Sequence, residues 1–471
     1  MTILSVRVIL IRLTNQNSIE NTIKSFGNPF HLMESEKHPS PKTSVKTGIA
    51  HCWHTNRLLL TKRNKMSKKK NVAIIGTVGV PACYGGFETL AEQLISNNDG
   101  SHSITVYCSG KKYPKAKRMS TYKGAKLLYL PLEANGIQSI FYDTLSIIHA
   151  LFFSEVLLVL GVAGAWFFPF IRLLTNKKII VSIDGIEWKR DKWSRLAKWY
   201  LWWAEKMAVR YSHLDISDNE SIQDYTAMRY GTLSNIIEYG ADHASKVKIA
   251  RSDIKTYPFL AKPYAFKVCR IEPENNIDMV LDAFSHLPEY NLVMVGNWKN
   301  SEYGNELQER FGAYKNMHLL DPIYDQTQLD LLRSNCFLYL HGHSAGGTNP
   351  SLVEAMYLGL PILSFGVSYN RTTTDHKAFY FETSEDIQNI IRSTRLTAFK
   401  EQGRSMKTIA DNRYTWEIVS AKYNFLVKKS LEIDTKKSIE PSVKSLNENS
   451  LRNIELNHLT QQNLFFQNSA S

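Results

Sequence analysis

At 471 residues the chain is long enough for two domains with full cores and too long for one, and 43% hydrophobic with 21% charged residues is an ordinary globular composition. Five scattered cysteines (Cys52, Cys83, Cys108, Cys269, Cys336) form no C-x-x-C pair and no metal-ligand spacing, which suits a reducing cytoplasm where thiols serve as small apolar residues. The net charge of +13 gathers in two acid-free runs, residues 55–70 and 111–126, each with seven Lys or Arg. No basic stripe is interleaved with aromatics, so nucleic acid is not an expected partner. Each run reads either as a solvated face or as a patch for anionic lipid headgroups or a lipid diphosphate.

Residues 1–65 open with MTILSVRVILIRL, apolar but interrupted by Arg7 and Arg12, and no small-residue cleavage site follows at the proper distance. The segment lacks a sustained period and reads as a disordered or spurious extension; Met66 then begins MSKKKNVAIIGT, a common start for a cytoplasmic α/β enzyme. From Asn71, β-branched runs at 72–76, 104–108, 126–130, 156–160, 178–183 and 214–217 alternate with helical stretches. Such runs suit strands of a parallel sheet covered on both faces, built from βαβ units. The stretch 151–174 is long enough to span a bilayer. Glu155, the Gly161-x-x-Gly164 break, Pro169 and Arg172 divide it better into a buried strand at 156–160, a glycine loop and an amphipathic helix.

A polar, irregular stretch over 240–263 marks a domain boundary, and the rhythm restarts at 264–270, 291–296, 317–320, 336–340 and 361–365. The expected architecture is therefore α/β, with two Rossmann-like domains at 66–245 and 246–415. A closing helix follows at 416–433, with Trp416 and Tyr423 on its buried side, and then a disordered polar tail at 434–471.

The residues that carry chemistry lie just past the strands. The first strand runs into GTVGVPACYGGFE (76–88), where glycines allow close approach of a ligand and a helix from Gly86 offers N–H groups to an anion. The alternative there is a tight turn with no ligand. A cluster from Ser182 to Trp193 places Asp184 and Glu187 among Trp188, Lys189 and Arg190, which suits a sugar acceptor or the donor's hexose. Five of the nine tryptophans fall between residues 188 and 203, either as core rings or at a membrane interface, where Trp and Lys are favoured together. Arg270 ends the first strand of the second domain, placed to neutralise a leaving phosphate or else simply exposed.

The strongest feature is HGHSAGGTNPSLVEAM (341–356). Asn349 is a good N-cap and Pro350 a good first helical residue, while Gly346 and Gly347 leave the helix N-terminus open to a diphosphate. Glu354, one turn inside, can accept hydrogen bonds from ribose hydroxyls; the bland reading is a capped helix with a surface Glu. His341 and His343 form an H-x-H pair without a third ligand at a useful distance, and there is no D-x-D, so no metal and no cofactor is assigned.

Four segments, GVPACYGGFET (79–89), DGIEWKRDKW (184–193), RIEPENNI (270–277) and GGTNPSLVEAM (346–356), stand in the order that resembles retaining glycosyltransferases of the family 4 type with the two-domain GT-B fold. The resemblance covers roughly residues 71–433. More narrowly, these segments are similar to a bacterial polysaccharide subgroup that includes β-1,4-rhamnosyltransferases of capsule or O-antigen assembly. The resemblance implies transfer of L-rhamnose from dTDP-L-rhamnose. The missing D-x-D fits a metal-independent donor site, and the basic and tryptophan-rich elements of the first domain suggest a lipid-linked (undecaprenyl diphosphate) glycan acceptor, met by a cytoplasmic protein peripheral to the inner face of the plasma membrane. Donor contacts would come from Gly85, Gly86, Arg270, Asn275, Gly346, Gly347, Thr348, Asn349, Leu352 and Glu354. Tyr84, Phe87, Glu88, Trp188, Lys189 and Arg190 would meet the acceptor, and Arg270, Asp184 and Glu187 would serve the chemistry.

Two departures matter. The Glu that the wider family usually has eight residues before the ribose-binding Glu is Gly346 here, and its common phosphate-site Lys is Asn275. With no carboxylate nucleophile at position 346, retention of configuration would proceed on the front face. The leaving phosphate oxygen would take the acceptor's proton while the protein stabilises that phosphate. A nicotinamide oxidoreductase or epimerase would need G-x-G-x-x-G and an acidic residue about twenty positions on, and neither is present. A non-catalytic sugar-nucleotide sensor would keep Glu354 and the Gly346-Gly347 loop but lose the acceptor side, whereas the 184–193 cluster is intact; a UDP-hexose donor is the other alternative.

Overall fold

The computed structural model describes residues 69–433 apart from Tyr84, Asp184, Asp191 and Lys192. The expectations for 1–65, for 434–471, for most of the 55–70 basic run, and for Tyr84 and Asp184 lie outside the described residues.

The apolar runs of the first half form eight strands: β1 Lys70–Ile75, β2 His102–Ser109, β3 Thr121–Tyr122, β4 Ala125–Leu130, β5 Val156–Leu160, β6 Lys178–Ile183, β7 Leu214–Ser217 and β8 Asn235–Ile236. Their order is β3-β4-β2-β1-β5-β6-β7-β8, and only β3 runs antiparallel to its neighbour. Side chains alternate between two cores, with Val72, Ile74 and Leu158 on one face and Ala73, Ile75, Leu157 and Val159 on the other. β5 is buried at every residue, as a strand covered on both faces must be. After it come Gly161 and the short helix Phe168–Leu174. Among the described residues no helix is long and apolar enough to cross a membrane.

The second sheet comprises β9 Tyr264–Val268, β10 Asn291–Val295, β11 Met317–Leu320, β12 Leu338–His341, β13 Ile362–Phe365 and β14 Phe379–Phe381, in the order β11-β10-β9-β12-β13-β14 and parallel throughout. In each sheet the direction of strand addition reverses beside the first strand, between β1 and β5 and between β9 and β12. Crevices at the carboxyl ends of strands flanking such a reversal are where doubly wound sheets bind ligands. The segments singled out in the sequence follow β1, β6, β9 and β12.

The last helix, Trp416–Glu432, leaves the second sheet and completes the core of the first, with Trp416, Val419, Tyr423, Leu426 and Val427 packed among Val72, Ile74 and Leu158. Two chain segments therefore cross between the sheets, and they are fastened to each other. The Ala241 N–H donates to the Tyr414 carbonyl at 2.7 Å, and the Trp416 N–H to Asp242 Oδ1 at 2.7 Å. Gly240 fits because it has no side chain: a Cβ there would lie 2.3 Å from the Trp416 ring.

Candidate active site

Helix Pro350–Tyr357 begins where the local sequence sets it, with Pro350 at its first position and Asn349 Oδ1 accepting the Ser351 N–H at 3.0 Å. One turn inside, Glu354 meets Arg333 through one oxygen and Nε2 of His243 through the other, the latter at 2.9 Å. Arg333 has no exposed surface and also donates to Asp330 at 2.6 Å. The Trp416 indole donates to Nδ1 of His243 at 2.9 Å. An indole nitrogen only donates, so Nδ1 is an acceptor and Nε2 carries the proton offered to Glu354. Burial by itself would raise the Glu354 carboxyl, but the Arg333 charge and the His243 hydrogen bond outweigh it and hold it at about 2. Glu354 is thus an ionised acceptor with further lone pairs available for hydroxyl donors.

The loops after β9 and β12 form one hydrogen-bonded unit. The Asn275 amide donates to the Arg270 carbonyl at 2.8 Å, and its Oδ1 receives Nδ1 of His343 at 3.0 Å. Asn276, in the left-handed region at φ 49°, donates to the Gly342 carbonyl at 2.8 Å. Both the N–H and the hydroxyl of Ser344 donate to the Glu274 carbonyl, at 2.8 and 2.9 Å. Asn275 is therefore an internal brace rather than a group facing a ligand. Burial first, and then the charges of Arg190, Arg270 and Lys267, push the His343 imidazole down to about 3, so it is neutral at physiological pH. The Arg270 side chain is 44% exposed and has only a loose contact with Glu272, at 3.7 Å, which leaves guanidinium donors for an anion.

From the first domain, Gly86 faces the second: a Cβ on it would lie 3.6 Å from Pro350, so the two helix N-termini confront each other. Glu88 is buried and folds over Gly85, and Phe87 lies near Gly161 at the end of β5. Arg190 pairs with Glu187 at 3.0 Å and reaches Glu274 of the second domain at 3.6 Å, while the Trp193 indole donates to Glu187 at 3.0 Å. Trp188 and Lys189 turn elsewhere. The Trp188 indole donates to the Tyr225 hydroxyl at 2.9 Å beneath Arg229, and Lys189 lies over the Trp188 ring, in the aromatic cluster around buried Glu205.

The Gly346-Gly347-Thr348 loop is covered by the segment after β7. The Thr348 N–H donates to Asp218 Oδ2 at 3.0 Å and its hydroxyl to the Asp218 carbonyl at 2.6 Å. Leu352 is a core residue packed against the second sheet, so its side chain is not available to a ligand. Arg333, His243 and Asp218 lie outside the motifs legible in the sequence. Only Arg333, a charged residue on the apolar face of helix Gln326–Ser334, carried any local signal.

Residues 252–409 match the family described as Glycosyl transferases group 1, and residues 69–242 match a domain of unknown function, DUF1972. No curated protein matches the chain. Among solved structures, it is similar to a sucrose-phosphate synthase from Thermosynechococcus elongatus, with 16% identity, 77% of this chain and 99% of that chain covered, and a TM-score of 0.65. Anabaena HepE in complex with UDP-glucose aligns at 15% identity over 76% of this chain and 100% of that one, with a TM-score of 0.59. A glycosyltransferase from Rickettsia africae aligns at 11% identity over 78% and 99%, also with a TM-score of 0.59. At these identities the likeness establishes the fold, which is GT-B.

Removing the cation between Asp330 and Glu354 strands two buried carboxylates, so Arg333→Met is expected to cost about 3–5 kcal/mol at pH 7 in urea unfolding. The folded value of Glu354, about 2, lies below its ordinary 4.5, so its pairing stabilises fully above pH 4.5 and is lost as pH falls toward 2. The deficit of the variant should therefore shrink in that window, and a variant as stable as wild type at pH 7 would contradict the assignment.

Proposed function

We propose that this chain, which carries a glycosyltransferase group 1 domain over residues 252–409, moves a sugar from a nucleotide diphosphate donor to a lipid-linked saccharide. In this reading the donor is dTDP-L-rhamnose and the acceptor an undecaprenyl diphosphate glycan of capsule or O-antigen assembly. The observation that carries the donor half is Glu354, ionised by Arg333 and His243 at the carboxyl end of β12. A fixed carboxylate suits ribose hydroxyls, and Arg270, at the carboxyl end of the adjacent strand β9, suits the diphosphate. The UDP-glucose bound to HepE favours a UDP-hexose donor as the second reading.

Position 346 has no side chain to act as a nucleophile, so the reading is a front-face transfer. The bond from the sugar to the leaving phosphate breaks, the acceptor oxygen bonds on the same face, and the acceptor's proton passes to the phosphate oxygen. Arg270 stabilises the charge that develops there. In this reading Glu187, held by Arg190 and Trp193, positions the acceptor from the first-domain side.

The lipid half of the reading rests on the surface of the first domain. Helices Gln138–Ala150, Phe168–Leu174 and Arg195–Tyr211 pack over one sheet face. Twelve of the seventeen exposed large hydrophobic side chains among the described residues lie between Ile137 and Trp202. Ile137, Phe141, Leu145 and Ile148 recur at helical spacing, so the first of these helices is apolar outward as well as inward. A groove of about 300 Å³ lined by Ile140, Phe141, Thr144, Trp166, Tyr200 and Trp203 lies between the first and third of these helices. The 111–126 basic run borders this surface, with Lys111 bonded to Gln138 at 3.0 Å and Lys126 over the Phe153 ring at 5.9 Å. The third helix exposes Arg195, Lys206 and Arg210, and its one acid, Glu205, is buried. An apolar patch rimmed by cations suits the surface of an anionic bilayer.

The test is nucleotide release from dTDP-L-rhamnose, UDP-glucose, UDP-galactose and GDP-mannose, with and without a lipid-diphosphate sugar. Acceptor-dependent release from dTDP-L-rhamnose is expected, with Arg270→Ala lowering turnover about 10²-fold; binding without release from any donor would favour a sensor. Sedimentation with vesicles should show binding to phosphatidylglycerol that weakens with salt and that Trp199→Ser with Trp202→Ser reduces. Equal partition to neutral vesicles would remove the electrostatic part of the membrane reading.

A further inference from the structure

The end of helix Pro350–Tyr357 that faces the crevice has few unspent donors. Pro350 has no N–H, Ser351 gives its N–H to Asn349 Oδ1, and Leu352 and Val353 give theirs to the Asn349 carbonyl at 3.1 and 3.2 Å. The Thr348 N–H, in the loop that would meet a diphosphate, is held by Asp218 Oδ2 at 3.0 Å. Asp218 comes from the other domain, directly after β7. Gly347 makes room for it, since a Cβ there would lie 1.9 Å from Asp218 Oδ1. The contact continues next door: Asn219 donates to the Tyr369 carbonyl at 3.1 Å and to Thr373 Oγ1 at 2.9 Å.

A carboxylate that accepts a loop N–H at a helix N-terminus presents the charge and hydrogen-bond geometry of a phosphate oxygen. We infer that Asp218 is a resident anion in the diphosphate cradle, which the donor displaces on binding, so that Asp218 sets donor affinity and donor entry releases the segment after β7 from the 346–348 loop. The inference rests on the donor site proposed above. The carboxylate and a diphosphate compete for the same N–H, and at such separations like charges repel strongly in a half-buried crevice. Asp218 therefore holds the first domain against the second while the cradle lacks donor, and it sets a threshold that a weakly charged ligand does not cross.

The experiment titrates the full chain and its Asp218→Asn variant with UDP, dTDP, GDP and inorganic pyrophosphate by calorimetry. Asn keeps an oxygen that accepts the Thr348 N–H and removes the charge. Affinity for every diphosphate that binds should rise about tenfold, with the order of base preference unchanged. Binding by the variant that is equal to or weaker than wild type overturns the inference and leaves the donor site standing. Binding of no diphosphate by either protein overturns both. In the wild-type chain alone, hydrogen exchange in peptides covering 214–220 should speed up when the diphosphate that binds most tightly is present. Unchanged or slower exchange contradicts displacement, whether or not the variant folds.

Discussion

The Arg333 guanidinium has no exposed surface and lies between the carboxylates of Asp330 and Glu354. A desolvated cation is tolerated only when paired, and a desolvated carboxylate likewise, so the three groups fix one another. From that pairing follows the ionisation of Glu354, one turn inside the helix. The second oxygen of Glu354 goes to His243, whose other nitrogen is held by Trp416. Trp416 opens the helix that returns to the first sheet and packs among its core residues. The carboxylate best suited to a ribose is thus tied through two hydrogen bonds to the segment where the chain crosses between the sheets.

The charge facing the crevice is distributed differently from what a motif reading implies. Asn275, which stands where the wider family commonly has Lys, is spent bracing the Arg270 carbonyl against His343. Cation density comes instead from Arg270 on one side and Arg190 on the other, both close enough to depress the His343 imidazole. Arg190 also reaches Glu274 across the crevice at 3.6 Å, so part of the positive charge is contributed by the first domain and depends on how the two domains meet.

The strands were legible because a parallel sheet buried on both faces demands continuous apolar runs, and the run at 156–160 is strand β5 residue for residue. The start of helix Pro350–Tyr357 was legible because N-cap and first-turn preferences are local. Side-chain direction was not. Trp188 and Lys189 sit in a cluster of acidic, basic and aromatic residues that looks like a sugar site, yet the partners of Trp188, Tyr225 and Arg229, lie on a later helix and turn its ring away, and Lys189 follows that ring. Asp218 meets Thr348 across 130 residues and His243 meets Glu354 across 111, and no local pattern announces a pairing that only the arrangement of two domains creates.

A crystal structure of the full chain with a nucleoside diphosphate sugar bound would decide the role of Glu354. Ribose hydroxyls are expected on the Glu354 carboxylate, the diphosphate against the 346–348 loop with Arg270 turned toward it, and the Arg333 pair unbroken. A nucleotide seated away from Glu354, or one whose ribose leaves that carboxylate untouched, would contradict that role.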